Sequence, residues 1–88
     1  MSSKTKAARQ YAKAVDFYNE GSHEKAIKWY RKAAERGHAD AQANLGAMYA
    51  IGLRVTKSDT ESEKWYRKAA EQGHPIAQDA LKDIEACK

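Results

Sequence analysis

The sequence predicts an all-α fold, an αα superhelix built as a solenoid of about two and a half helix-turn-helix units with roughly five helices. Three observations carry that expectation. First, WYRKAAERGHADAQ at 29–42 matches WYRKAAEQGHPIAQ at 65–78 in 11 of 14 positions at an offset of 36 residues, a repeat length typical of stacked helix pairs. Second, apolar residues recur with helical spacing, and no segment alternates in the manner of a strand. Third, 17 of the 37 apolar residues are alanine, while Leu, Ile, Val and Phe number ten. Ten in 88 falls below the content at which a strongly charged chain is expected to fold. A net charge of +4, one Pro and seven Trp and Tyr residues nevertheless argue against disorder.

The first helix is expected near 4–20. Its segment AKAVDFYNEG at 12–21 aligns weakly with ANLGAMYAIG at 43–52, at an offset of 31, and the five-residue difference falls in the loop before each tryptophan. The second is expected at 23–36. There Ala26, Ile27, Tyr30, Ala33 and Ala34 share one half of the circumference with Trp29 at its edge, and Lys28, Arg31, Lys32 and Glu35 take the other. Gly37 stands where a left-handed residue closes a helix. A third helix follows at 40–51. The fourth, 59–72, is preceded by two capping-box spacings, Ser58 with Glu61 and Thr60 with Glu63, which serve equally well, and it ends at Gly73. Pro75 sits in the first turn of the fifth, 76–87. The expected organisation is a single domain over 1–88: unit one about 4–37, unit two about 38–73, and a capping helix about 75–88 whose polar run Lys82, Asp83, Glu85, Lys88 covers the open end. Met1 and that polar helix point to a whole chain.

No apolar run reaches the roughly 18 residues of a membrane span, and MSSKTKAARQYAK lacks a signal-peptide core, so the expected location is cytoplasmic and no membrane contact is expected. Cys87 alone forms no internal disulfide and no zinc frame.

The string WYRKAAEQGH, together with A-Q-x-x-L-G-x-M-Y-A-x-G, resembles the Sel1-like repeat family, a branch of tetratricopeptide-type (TPR-like) solenoids of bacterial type. Ala39, Ala41, Gln42, Leu45, Gly46, Met48, Tyr49 and Gly52 carry the resemblance, followed by Trp65, Tyr66, Lys68, Ala69, Ala70, Gly73 and His74. The first unit departs from it with Ala14 and Val15 in place of Leu45 and Gly46. Arg54 replaces a loop glycine, and Glu63 an aliphatic residue. Close helix stacking explains the composition, since small residues at crossing points let helices approach and Trp and Tyr supply the buried area. A leucine at Ala33 or Gly46 would overpack a seam.

Enzymatic signatures are missing: no nucleophile elbow, no HExxH, no phosphate-binding glycine loop. His38 and His74 occupy one repeat position, so with His23 they read as caps or inter-repeat contacts rather than a metal or catalytic set. Asp16, Asp40, Asp79 and Asp83 read as surface charge. The family's secreted branch, associated with β-lactams, depends on cysteine pairs that this chain lacks. The expectation is therefore a non-enzyme without cofactor or metal.

Charge is unequal along the chain. Residues 1–57 carry eleven Lys and Arg against five Asp and Glu, and residues 58–88 five against seven. The outward Lys28, Arg31, Lys32 and Arg36 read as a solvated face. Nucleic acid is disfavoured because Trp29 and Trp65 fall on the packing side and no base-stacking aromatics interleave the cations. Weak homo-oligomerisation through the solenoid ends is the other use of that asymmetry.

The resemblance implies a concave groove formed by the first helix of each pair. Groove positions are Arg9, Ala12, Asp16 and Asn19; then Asp40, Ala43, Asn44, Ala47, Ala50 and Ile51; then Asp79 and Asp83. An alanine floor edged by Asp and Asn suits a protein or peptide carrying one bulky apolar residue and some Lys or Arg. The expected function is a protein-interaction adaptor. The alternative is a dedicated regulator or immunity-type inhibitor of an enzyme or toxin, and a nucleic-acid-associated protein stands third.

Overall fold

A computed structural model describes residues 3–52 and 55–87. It contains five helices, α1 (Ser3–Asn19), α2 (His23–Glu35), α3 (Ala39–Ile51), α4 (Asp59–Glu71) and α5 (Pro75–Ala86), each bounded within one residue of the sequence expectation. The described residues include no strand. The departure at Arg54 lies outside them.

Why the repeated string folds as it does is visible at the helix ends. After α2, Gly37 adopts φ +93°, its N–H donates to Ala34 O at 3.0 Å, and the next N–H, from His38, donates to Ala33 O at 3.0 Å. The same pair of bonds follows α4, from Gly73 to Ala70 O (2.9 Å) and from His74 to Ala69 O (3.2 Å). These Schellman closures satisfy carbonyls that a helix end otherwise leaves open, and they need a residue that tolerates the left-handed region. The histidine that follows then starts the next helix. His38 Nδ1 accepts from the Ala41 N–H at 3.2 Å, and His74 Nδ1 accepts from the Ala77 N–H at 3.3 Å. At α4 the two capping candidates separate: Ser58 Oγ is the cap, accepting from the Glu61 N–H at 3.2 Å. The repeated glutamine has a matching task. Gln42 Nε2 donates to Ala34 O (3.1 Å) and Gln78 Nε2 to Ala70 O (3.2 Å), which ties each helix to the end of the one before it.

Consecutive helices pack in sequence, α1 on α2, α2 on α3, α3 on α4 and α4 on α5. The body measures 39 × 27 × 16 Å, an elongated stack. Alanine makes up its contact surfaces: Ala14, Ala26, Ala33, Ala41, Ala69 and Ala77 have no exposed area. Leu45 is also fully buried, and Tyr30, Trp65 and Tyr66 add aromatic bulk. At Gly46 the approach is close. A Cβ placed there would lie 2.9 Å from Cγ and Cδ1 of Tyr66, inside any normal contact distance. The glycine carbonyl accepts from buried Ser62 Oγ at 2.8 Å, so α3 and α4 meet backbone to side chain across this point.

Candidate partner-binding site

Among the clefts between the described helices, two bear on the expected groove and on the basic face of α2. One lies between α3 and α5 with α4 behind it. Ala50, Ala80, Ile84, Cys87 and Tyr66 line about 480 Å³, together with Ser62, Asp59 and Asp83. The other, about 1010 Å³, lies between α1 and α2.

The sequence-predicted groove residues divide among several environments. Arg9, Ala12, Asp16 and Asn19 share an exposed face of α1, and Arg9 also lines the α1–α2 cleft. Ala50 and Asp83 come together in the α3–α5 cleft. Ile51, 70% exposed, and Asp79 point to solvent, while Asn44 is half-buried. Ala43 differs from the expectation of a groove floor. At 6% exposure it packs with Tyr66, Ala69 and Ala77, because the Gly46 contact draws α4 inward and brings α5 with it. Ala47 is half-buried against the same cluster. Asp40 accepts a 2.8 Å bond from His74 Nε2, so its carboxylate links α3 to the start of α5.

Sequence reasoning missed Tyr66, Ala80, Ile84 and Cys87 as cleft residues. Ala80 and Ile84 lie one turn apart on α5, and that spacing was the available signal. It also missed Trp29, which is half-buried and lines the α1–α2 cleft, whereas the packing-side expectation holds for Trp65 at 5% exposure. Nor is the basic face of α2 simply solvated. Arg31 donates to Tyr49 Oη at 2.8 Å, and Lys32 Nζ lies 4.2 Å from the Trp29 ring centre.

Burial sets the electrostatics. Tyr30 and Tyr66 phenols are pushed above their ordinary value by desolvation, with Tyr11 and Tyr18 adding to the effect at Tyr30, so both rings are neutral packing groups at physiological pH. Burial lowers His38 below its ordinary 6.5, and Asp40 partly opposes that. His38 also stacks on Tyr11 at 4.5 Å between ring centres. Its Nδ1 can accept from Ala41 only when unprotonated. Between the lowered value and about 6.5 the unfolded chain binds more protons, so stability rises with pH across that window. The contribution is complete above about pH 6.5 and is lost as pH falls through the lowered value. Thermal unfolding should therefore show a Tm drop on acidification that is smaller in His38→Asn, where a neutral amide can cap at any pH; an equal drop in both proteins would remove His38 as its source. Among the described residues no three His, Cys, Asp or Glu side chains gather as a metal site, and no helix is long and apolar enough to cross a membrane.

The architecture and its repeated end chemistry have counterparts. The family model described as Sel1 repeat matches residues 5–38 and 39–74. The chain belongs to the Sel1 repeat family. A solved Sel1 repeat protein from Oxalobacter formigenes superimposes with a TM-score of 0.80 at 40% identity, over 85% of this chain and 59% of that one. The exopolysaccharide production negative regulator of Rhizobium leguminosarum bv. viciae is 45% identical over 45 residues, which are 51% of this chain and 17% of the regulator. This Sel1 repeat chain thus spans part of the length of each. Sel1 repeats generally act as protein-interaction modules on a scaffold fold.

Proposed function

We propose that this Sel1 repeat chain is a non-catalytic cytoplasmic adaptor that holds a protein or peptide partner in the groove between its first-of-pair helices. Units at about 4–37 and 38–73 form the stack, and α5 closes it; Lys88 of the expected capping helix at about 75–88 lies outside the described residues. The α3–α5 cleft carries this reading. Its surface is mainly Ala50, Ala80, Ile84 and the Tyr66 ring, with exposed carboxylates at Asp59 and Asp83. An apolar cleft with a few polar groups receives one bulky side chain, and the carboxylates favour a neighbouring Lys or Arg on the ligand.

Affinity capture followed by titration calorimetry tests the proposal. Ala50→Arg should fill the cleft and cut affinity for a captured partner about tenfold or more, roughly 1.4 kcal/mol, with helical circular dichroism unchanged. Undiminished affinity would place the contact elsewhere. A second reading, regulation by covering an enzyme or toxin, is favoured by the likeness to a negative regulator. It requires that the captured partner be an enzyme and lose activity when bound.

A further inference from the structure

Repeat symmetry singles out the α1–α2 cleft. Trp29 and Trp65 occupy the same repeat position, 36 residues apart, yet Trp65 is 5% exposed and Trp29 is only half-buried. The difference lies in what each faces. Around Trp65, the end of α2 supplies Ala34, Glu35 and the Gly37 turn, opposite Lys64 and Lys68. Gln72 Nε2 completes that contact by donating to Gly37 O at 2.8 Å. Small residues, one carboxylate and a helix-end carbonyl are thus what this type of cleft receives within the chain itself.

In the first unit the equivalent surface is open and more cationic. Lys6, Arg9 and Lys13 line it from α1, spaced to share one face, and Lys32 and Arg36 line it from α2. Glu35 is the sole carboxylate on the lining. Lys13 and Lys32 place their ammonium groups 4.8 Å and 4.2 Å from the Trp29 ring centre. Arg36 stands at the repeat position of Gln72, so a charged fork replaces the neutral amide that grips a helix end in the second unit.

We infer that this cleft is a second docking surface, which takes an acidic helical segment of a partner protein, with small residues over Trp29 and carboxylates toward Lys13, Lys32 and Arg36. The inference rests on the interaction-module reading for the class of ligand and adds a separate surface with its own chemistry. A second copy of this chain fits poorly. Its α4 carries the same Ala-Ala-Glu string at 69–71, but α5 already packs against Tyr66 and Ala69, where the second α1 would have to lie.

The test is fluorescence anisotropy with a labelled helical peptide of Ala and Glu, an Ala and Gln peptide of equal length, and a single-stranded oligo-dT. The Glu peptide should bind at least tenfold tighter than the Gln peptide and weaken as salt is raised. Arg9→Glu with Lys13→Glu, both exposed positions, should reduce its affinity tenfold or more with unchanged circular dichroism; if that variant fails to fold, Lys32→Gln should reduce it in the same direction. Equal binding of the two peptides, or no effect of a folded charge variant, overturns the inference. Binding of oligo-dT without the Glu peptide overturns it in favour of nucleic acid, and concentration-dependent dimers lost in the charge variant overturn it in favour of self-association. Ala50→Arg should leave Glu-peptide binding intact. A partner lost by Ala50→Arg in a protein that ignores the Glu peptide would end this inference alone, leaving the groove reading in place.

Discussion

Leu45→Ala should cost about 2–5 kcal/mol, the range for emptying a fully buried leucine site. A chain of this size holds roughly 4–13 kcal/mol in total, from about 0.05–0.15 kcal/mol per residue. One deletion therefore removes a large part of the stability. The cluster that holds Leu45 includes Ala26, Ala33 and Ala41, which are fully buried and too short to reach into the gap, so collapse would have to come from moving whole helices or from its larger members such as Met48. Urea unfolding followed by circular dichroism checks the expectation. A loss under about 1 kcal/mol would mean that the helices close over the gap and that the stack is not held rigidly by its seams.

Gly46→Leu should be damaging for the opposite reason, overfilling, at about 3 kcal/mol or more. Even Gly46→Ala should destabilise, although alanine gains about 1 kcal/mol of helix propensity over glycine. Its Cβ would stand 2.9 Å from the Tyr66 ring, and Tyr66, on α4, is packed against Ala43 of α3 and Ala77 of α5, so the ring can yield only toward the α3–α5 cleft that it lines, at the cost of those contacts. A double-mutant cycle separates the two terms. In a Tyr66→Ala background the added methyl meets no ring, and Gly46→Ala should become neutral or stabilising. If the methyl costs the same in both backgrounds, the strain lies elsewhere on α3.

These two sites also show how far the residues could be read unaided. Helix limits were legible because glycine, histidine and proline mark them chemically: Gly37 and Gly73 close helices and His38 and His74 open them. Repetition identified the histidines as a structural device, since one cap used twice is a poor account of a metal site. The capping choice between Ser58 and Thr60 was not legible. Both spacings are sound locally, and the pairing of Ser58 N–H with Tyr49 O at 3.1 Å, a contact back to α3, accompanies the structural choice. The groove positions were expected from the family resemblance and helical spacing, and spacing ranks positions around one helix but is silent about how far a neighbour intrudes. Ala43 therefore falls into the α3–α4–α5 seam, while Ile84 and Tyr66 emerge as cleft surface.

The sequence by itself determined the all-α class, the five helices, their ends and the alanine-rich mode of packing, because these depend on periodicity and on residues whose backbone preferences act locally. Only the tertiary structure decided which face of each repeat is covered. Trp29 and Trp65 sit in nearly identical strings, and burial separates them because α2 lies against one and the corresponding face of the other is open. Low aliphatic content thus reflects two things at once: short side chains let the helices meet closely, and each unit relies on its neighbour to complete its surface.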